Sequence, residues 1–395
     1  MEINRRDFLK TGTFAALAGA TSDSPARKYE VGAYYFPNWA PDPRLEEIHG
    51  KGWTEWELLK RGEPKFAGHL QPKRPAWGYE DESDPRVFEK KIAAAHAAGI
   101  SHFIFDWYWY EGNPFLERAL ERGYLNAGNK ADVRFGLMWA NHDWLDLMPC
   151  PLDKQARRLI FKGTYDSAAF DAVARYVVST YFHEPSYYRI DGAPYFSIYM
   201  LKQLIERMGG FDVAQAALAR FRYWTRRAGF PDLHLNAVAW GVSEMSDLRR
   251  QLRELGVNSV TSYTWAHHYS FPTFPATEYQ DAAEQAPAYW SKAQDLFGVP
   301  YHLDISMGWD PSPRTCQSDI FADVGYPFTS ALTNNTPEIF ERCLMKAKSY
   351  LDQHSEQPRI LTVNAWNEWT EGSYLEPDSV HGMGYLNAIH KVFGS

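Results

Sequence analysis

The sequence predicts an α/β protein, a single (β/α)8 TIM barrel with long connections where its strands end. Three observations carry that expectation. Eight short apolar segments rich in aromatic and β-branched residues recur along the chain. Amphipathic helix patterns that stop at glycine lie between them, and strand–helix alternation is the order that builds a parallel sheet. No G-x-G-x-x-G follows the first segment, so an open doubly wound sheet would lack its phosphate-binding turn.

Taken in order, residues 1–27 read as a twin-arginine export signal and short linker. Arg5 and Arg6 precede Phe8, Leu9 and Lys10, a weakly apolar stretch, and Ala18-Gly19-Ala20 as a cleavage candidate. The expectation is export through the twin-arginine machinery to the periplasm or the exterior, with residues 28–395 forming one folded domain. The first strand lies near 30–36 and a long connection, 38–84, follows it. A helix comes next, with Asp84 as N-cap, Pro85 at the first helical position, Val87, Phe88, Ile92 and Ala95 on one face, and Gly99 as its stop. Strands are expected at 102–106, 134–139, 193–199, 233–239 and 257–263, with Gly229 and Gly256 closing the helices before the last two. A second long connection, 264–299, leads to strands at 300–306 and 359–365.

With 45% hydrophobic and 23% charged residues the chain should fold throughout. A net charge of -8 with scattered Lys and Arg gives no basic face for nucleic acid. No later apolar run approaches the roughly 20 residues of a membrane span. Cys150, Cys316 and Cys343 allow at most one disulfide. His267-His268 and His302-x-Asp304 do not read as a metal site: adjacent strand residues point to opposite sides, and no H-E-x-x-H supports them. Neither a metal nor a cofactor is expected. Aromatic residues reach 16%, with 15 Trp and 24 Tyr, more than a core needs, which leaves some for a binding surface.

Barrel chemistry sits where strands end. The segment NAWNEWTEG, 364–372, follows the last strand and brings Glu368 and Glu371 to the mouth with Asn367 and Trp369. Two carboxylates there divide the work of glycosidic cleavage: one stays ionised as base or nucleophile, the other protonates the leaving oxygen. Their repulsion helps separate the two pKa values. The bland alternative is one structural ion pair and one solvated Glu. Other strand ends deliver similar residues: Asp106, Trp107 and Tyr108 from the second, Trp139, Asn141 and His142 from the third, Asp304, Trp309 and Asp310 from the seventh. Aromatic faces stack on the C–H faces of a pyranose while Asp, Asn and His bond its hydroxyls, so the mixture suits a carbohydrate. Asp106 and Asn141 are candidates for hydroxyl contacts, and Tyr34 and Tyr263 for the floor. In the long first connection, G-W-T-E-W holds Trp53, Glu55 and Trp56. They either fold over the mouth to line the sugar or, for Glu55, tie the loop to the barrel.

GWTEWELLKRGEPKFAGHLQPKRP, FDWYWYEG, MWANHDW and NAWNEWTEGSYLEPD resemble, in order and spacing, the glycoside hydrolase family 99-like proteins, many labelled WbsX-type glycosyltransferases. These are related to glycoside hydrolase family 99, and the resemblance spans nearly all of the chain after the signal. It implies a (β/α)8 catalytic domain and, from family 99 itself, hydrolysis of α-mannosidic bonds with retention. Carried over, Glu368 acts as base on the substrate 2-hydroxyl, giving an anhydro-sugar intermediate, and Glu371 is the acid/base at the leaving oxygen. Family 99 commonly has His where this chain has Thr370, so the Glu pair transfers better than the mannose specificity. A direct nucleophile stays open, because sequence spacing gives no carboxylate separation. The expected function is an exported glycoside hydrolase acting on a complex polysaccharide or glycan. One alternative is a glycosyltransferase of polysaccharide biosynthesis, against which an export signal speaks, since nucleotide sugars are cytoplasmic. The other is a barrel that binds glycan without cleaving it.

Overall fold

The computed structural model describes residues 29–394 apart from 154, 155, 164 and 165. The signal reading of residues 1–27 lies outside the described residues. Eight parallel strands close into a barrel: β1 (Glu30–Tyr35), β2 (His102–Tyr110), β3 (Arg134–Trp139), β4 (Ala193–Ile198), β5 (His234–Val238), β6 (Ser259–Thr261), β7 (Tyr301–Ser306) and β8 (Ile360–Asn364). Each pairs with its neighbours in sequence, and Glu30↔Ile360 to Ala33↔Val363 joins β1 to β8, which leaves the sheet without an edge. The strands fall close to the ranges read from the sequence. β2 is the exception, running on to Tyr110 because an antiparallel hairpin with Asn113–Phe115 extends it.

Helices α1 (Pro85–Ala98), α2 (Ser167–Thr180), α3 (Phe211–Arg227), α4 (Leu248–Glu254), α5 (Tyr279–Phe297), α6 (Pro337–Gln353) and α7 (Gly384–Phe393) lie outside the barrel. Between β2 and β3 a single π turn, Ala119–Gly123, takes the place of a long helix. The start of α1 is local chemistry: the Asp84 side chain accepts from the Arg86 N–H at 2.9 Å, and Pro85 supplies a preset φ. It ends at Gly99, whose φ of 95° favours glycine.

One expectation needs correction. The connection 264–299 is not a loop throughout, since α5 occupies its second half. Pro287 interrupts the helix signal, yet Tyr279, Ala282, Ala283, Ala286, Trp290, Ala293 and Phe297 form one buried stripe, and that burial outweighs the missing N–H.

Strand alternation sorts the aromatics into two cores. On β2, Phe103, Phe105, Trp107 and Trp109 join the outer core under the helices, while Ile104, Tyr108 and Tyr110 belong to the inner one. The long first connection packs beside the mouth. It contains the short helices Pro43–His49 and Trp56–Arg61, and Trp56 packs against Trp39 with ring centroids 4.0 Å apart. Asp310, after β7, pins the loop by accepting from Gln71 at 2.6 Å and bonding His69 at 2.9 Å, with Lys73 at 3.6 Å. All three cysteines are free thiols. Among the described residues no helix is long and apolar enough to cross a membrane, and no three His, Cys, Asp or Glu group as metal ligands.

Candidate active site

At the end of β8 the chain makes a tight hairpin, Asn367–Glu368 against Ser373–Tyr374, and the turn Trp369–Glu371 joins its arms. Asn367 anchors it to β1: its carbonyl accepts from Phe36 N and its amide donates to Phe36 O, both at 2.8 Å. Held in this way, Glu368 and Glu371 both face a cavity of about 910 Å³ at the carboxyl ends of the strands. Its floor carries Asp106, Tyr108 and Tyr263, and its walls include His142, Trp144, Tyr199, Trp240, Trp309 and Tyr326.

The centre of the site is Arg314, which sequence reasoning missed. Carried on the turn Ser312–Arg314, it is buried, and its guanidinium is divided among three carboxylates. Nε donates to Glu55 at 2.6 Å, Nη2 to Glu368 at 2.6 Å, and Nη1 to Glu371 and, at 2.5 Å, to the Tyr326 hydroxyl. Tyr326 in turn donates to Glu371 at 2.7 Å. Tyr263 lies 2.8 Å from Asp106 and 3.1 Å from Glu368. Its single proton serves one of them at a time.

One cation among Glu55, Glu368 and Glu371, with Asp106 close by, leaves a buried surplus of negative charge. Burial pushes the Glu368 carboxyl well above its usual range, Glu371 and Asp106 add to the push, and Arg314 pulls the other way. Burial also raises Glu371, against Arg314 and Tyr326, and raises Asp106 well above the ordinary aspartate. The two glutamates titrate as a unit. Such a site retains a proton at pH values where isolated carboxylates have lost theirs, as a general acid requires. Burial works against the charge of Arg314, but Glu55, Tyr326, Glu371 and Glu368 outweigh it and keep the guanidinium ionised.

Of the residues picked out in the sequence, Glu368, Glu371, Asp106, Tyr108, His142, Tyr263 and Trp309 line the cavity. The others lie elsewhere, each for a physical reason. Trp107 points to the outer core, its indole N–H 3.3 Å from Tyr181, and Trp139 packs there on Phe170, because alternation turns both away from the interior. Asn141 brackets Met200, accepting from its N–H at 2.7 Å and donating to its carbonyl at 3.2 Å. Tyr34 lies packed at 4.7 Å against Tyr263, outside the cavity lining. Asp304 is buried inside the barrel, accepting from Tyr301 at 2.8 Å. Asp310 is the loop pin described above. Asn367 and Trp369 hold the hairpin, and the Trp369 indole donates to Glu376 at 2.7 Å. Trp53 stacks on His49 at 4.3 Å and Trp56 packs against Trp39, and neither lines the cavity. Glu55 stands behind Arg314, where Thr370 donates to it at 2.5 Å and Asn38 at 3.1 Å. No local pattern marks Arg314, since a lone Arg in D-P-S-P-R-T-C reads as surface. Tyr199 and Trp240 were legible only as residues at the ends of strands four and five.

Fold and site together define a (β/α)8 barrel with a buried carboxylate pair at the bottom of an aromatic-walled cavity. The chain belongs to the family described as "Glycosyltransferase WbsX", whose model matches residues 31–389. Among curated proteins it is similar to "Uncharacterized protein WxcX" of two strains of Xanthomonas campestris pv. campestris. It is 28% identical over 374 residues in strain ATCC 33913 and 29% over 381 in strain B100. These alignments cover 91% of this chain and 49% of each relative, so the chain spans about half the length of the curated relatives it matches. In fold it is similar to the GH99 endo-alpha-mannosidase of Bacteroides thetaiotaomicron, with a TM-score of 0.55 and 14% identity over 93% of this chain and 99% of that one. A structure described as a glycoside hydrolase-like protein gives 0.53 and 16% over 93% and 94%.

Proposed function

We propose that this protein is a glycoside hydrolase that cleaves an α-linked, mannoside-like bond in a complex glycan, with Glu368 and Glu371 as its acidic pair. The observation that carries the reading is that both carboxylates open to the cavity and share one guanidinium. Retention is the outcome expected from the resemblance to glycoside hydrolase family 99, in which the same Glu pair acts on either side of the bond. Glu368 acts as base on the neighbouring hydroxyl or as nucleophile, and Glu371 delivers and later recovers the proton at the leaving oxygen. Tyr326 and Arg314 hold Glu371 in place, and Tyr263 orients Glu368. Deeply buried, the site strengthens each of these interactions relative to water. Similarity of fold to an endo-alpha-mannosidase supports the sugar class. The export pattern in residues 1–27 supports action outside the cytoplasm on polymeric material.

The family description favours a second reading, transfer from an activated sugar donor. One experiment separates the two. The purified protein and Glu368→Gln are incubated with α-mannans and a panel of bacterial and plant polysaccharides, and released reducing sugar is followed. Release by the parent alone supports hydrolysis by this pair. Release that is equal in parent and variant removes the assignment of Glu368. Chain extension from added nucleotide sugars, with no release from any glycan, establishes the transferase instead.

A further inference from the structure

From the Glu368 carboxylate an aromatic strip leads out along the β4 to β6 side of the cavity. Tyr263, bonded to Glu368, meets Tyr199 edge-on at 5.7 Å and lies 6.2 Å from His267. The Tyr199 hydroxyl and the His267 Nε2 are 3.2 Å apart, and Trp240 packs against the imidazole at 4.2 Å. Burial lowers the His267 pKa to about 3, so the imidazole is neutral at any working pH. The bond between its Nε2 and the Tyr199 hydroxyl fixes the ring against which Trp240 rests. Trp240 is 39% exposed, and each of the other tryptophans among the 15 in the chain is buried or half-buried. A braced indole that lines a cavity and stays this exposed gains little for folding and suits the flat C–H face of a ring.

We infer that Trp240, backed by His267 and Tyr199, forms a distal subsite that binds a neutral hexopyranose unit beyond the residues flanking the bond to be cleaved. The inference rests on the proposed glycan-cleaving function. Two features of the site choose the ligand. Tyr263 bonds Glu368, whereas Trp240 is reached from it only through His267, over successive centroid steps of 6.2 and 4.2 Å, so Trp240 addresses a unit more remote than the one beside Glu368. Among the described residues that line the cavity, Arg314 alone is a Lys or Arg and it is divided among its carboxylates, while Asp323 adds a negative charge to the same lining, which does not favour an anionic sugar. The protein therefore gains affinity with glycan length, and Trp240 sets where that gain ends.

The test uses the full-length chain carrying Glu371→Gln, so that no probe is consumed, with and without Trp240→Ala or Trp240→Phe. Binding of α-linked manno-oligosaccharides of increasing length, from the disaccharide upward, is measured by calorimetry. The subsite predicts that affinity rises with length in the Glu371→Gln protein and that Trp240→Ala removes about ten-fold of that rise, roughly the 1.4 kcal/mol of one ring stack. Trp240→Phe should keep part of it. An unchanged length dependence in Trp240→Ala overturns the subsite and leaves the hydrolase reading standing. If no manno-oligosaccharide of any length binds, the subsite and the proposed substrate class fall together.

Discussion

Two buried ion clusters flank the N-E-W-x-E-G segment, and both set one cation against more than one carboxylate. Around Arg314 stand Glu55, Glu368 and Glu371. Around Lys91 stand Glu82 and Glu376, the second at 2.5 Å. The surroundings differ. The carboxylates of the Lys91 cluster are fully engaged by the hairpin: Asn367 donates to Glu82 at 3.1 Å, and the indoles of Trp366 and Trp369 donate to Glu376 at 2.9 and 2.7 Å. Nothing there opens to the cavity, whereas Glu368, Glu371 and Arg314 do. The same surplus of buried charge thus has two uses. Sealed, it fastens the residues on either side of Glu368; open to a cavity, it presents a proton to a substrate.

The comparison breaks first at the open cluster. Under the proposed function, Glu368→Gln lowers kcat/KM by about two to four orders of magnitude on every substrate. Glu371→Gln does so on natural glycans but retains activity on aryl glycosides whose leaving groups need little acid help. Steady-state rates on both substrate types check this, and loss of the aryl activity in Glu371→Gln would deny it the acid role. Arg314→Met comes next. Without the guanidinium that lowers Glu368 and Glu371, both pKa values rise, so the acid limb of the pH–rate profile moves to higher pH while the remaining activity falls. A profile that falls in height without moving would make Arg314 a structural group alone.

The sealed cluster breaks differently. Lys91→Met leaves two carboxylates without their cation and should cost about 3–5 kcal/mol of stability, the range for breaking a buried pair from one side. Urea unfolding measures it, and a loss below about 1 kcal/mol, the scale of surface pairs, would show the cluster to be relaxed by water.

How these clusters were legible in the sequence follows from their composition. Barrel strands and their helices are periodic, so β3 and α1 were readable almost to the residue. Glu368 and Glu371 stood out because they follow a strand directly. Lys91 was hidden inside α1, where one lysine in E-K-K-I-A-A reads as a solvated face, and nothing local says that Glu82 and Glu376 come to meet it. Arg314 was hidden in the same way, since a residue whose partners are 54 and 259 positions away has no local signature. Strand ends gave the converse error. Trp107 and Trp139 have the right position but the wrong parity, and alternation sends them outward.

The smallest expected effect tells whether the sealed cluster holds its surplus charge as a proton. Burial raises Glu82 from 4.5 to about 7, with Glu376 adding to the shift and Lys91 and Asn367 opposing it. Tyr35, Lys91, Glu376 and Asn367 are the groups that face it. A carboxyl whose folded pKa lies above its unfolded one binds more protons in the native state between those two values. Its contribution to stability is therefore complete below about pH 4.5 and is lost as the pH rises through about 7. Glu368, Glu371 and Asp106 tilt the protein in the same direction, so the slope of the parent alone does not isolate Glu82. The difference between parent and Glu82→Gln does, because the amide cannot titrate and leaves Lys91 paired with Glu376 alone. Unfolding free energies measured from pH 5 to 8 should fall more steeply in the parent than in Glu82→Gln. Parallel curves would mean that Glu82 is ionised throughout and that Lys91 balances both carboxylates.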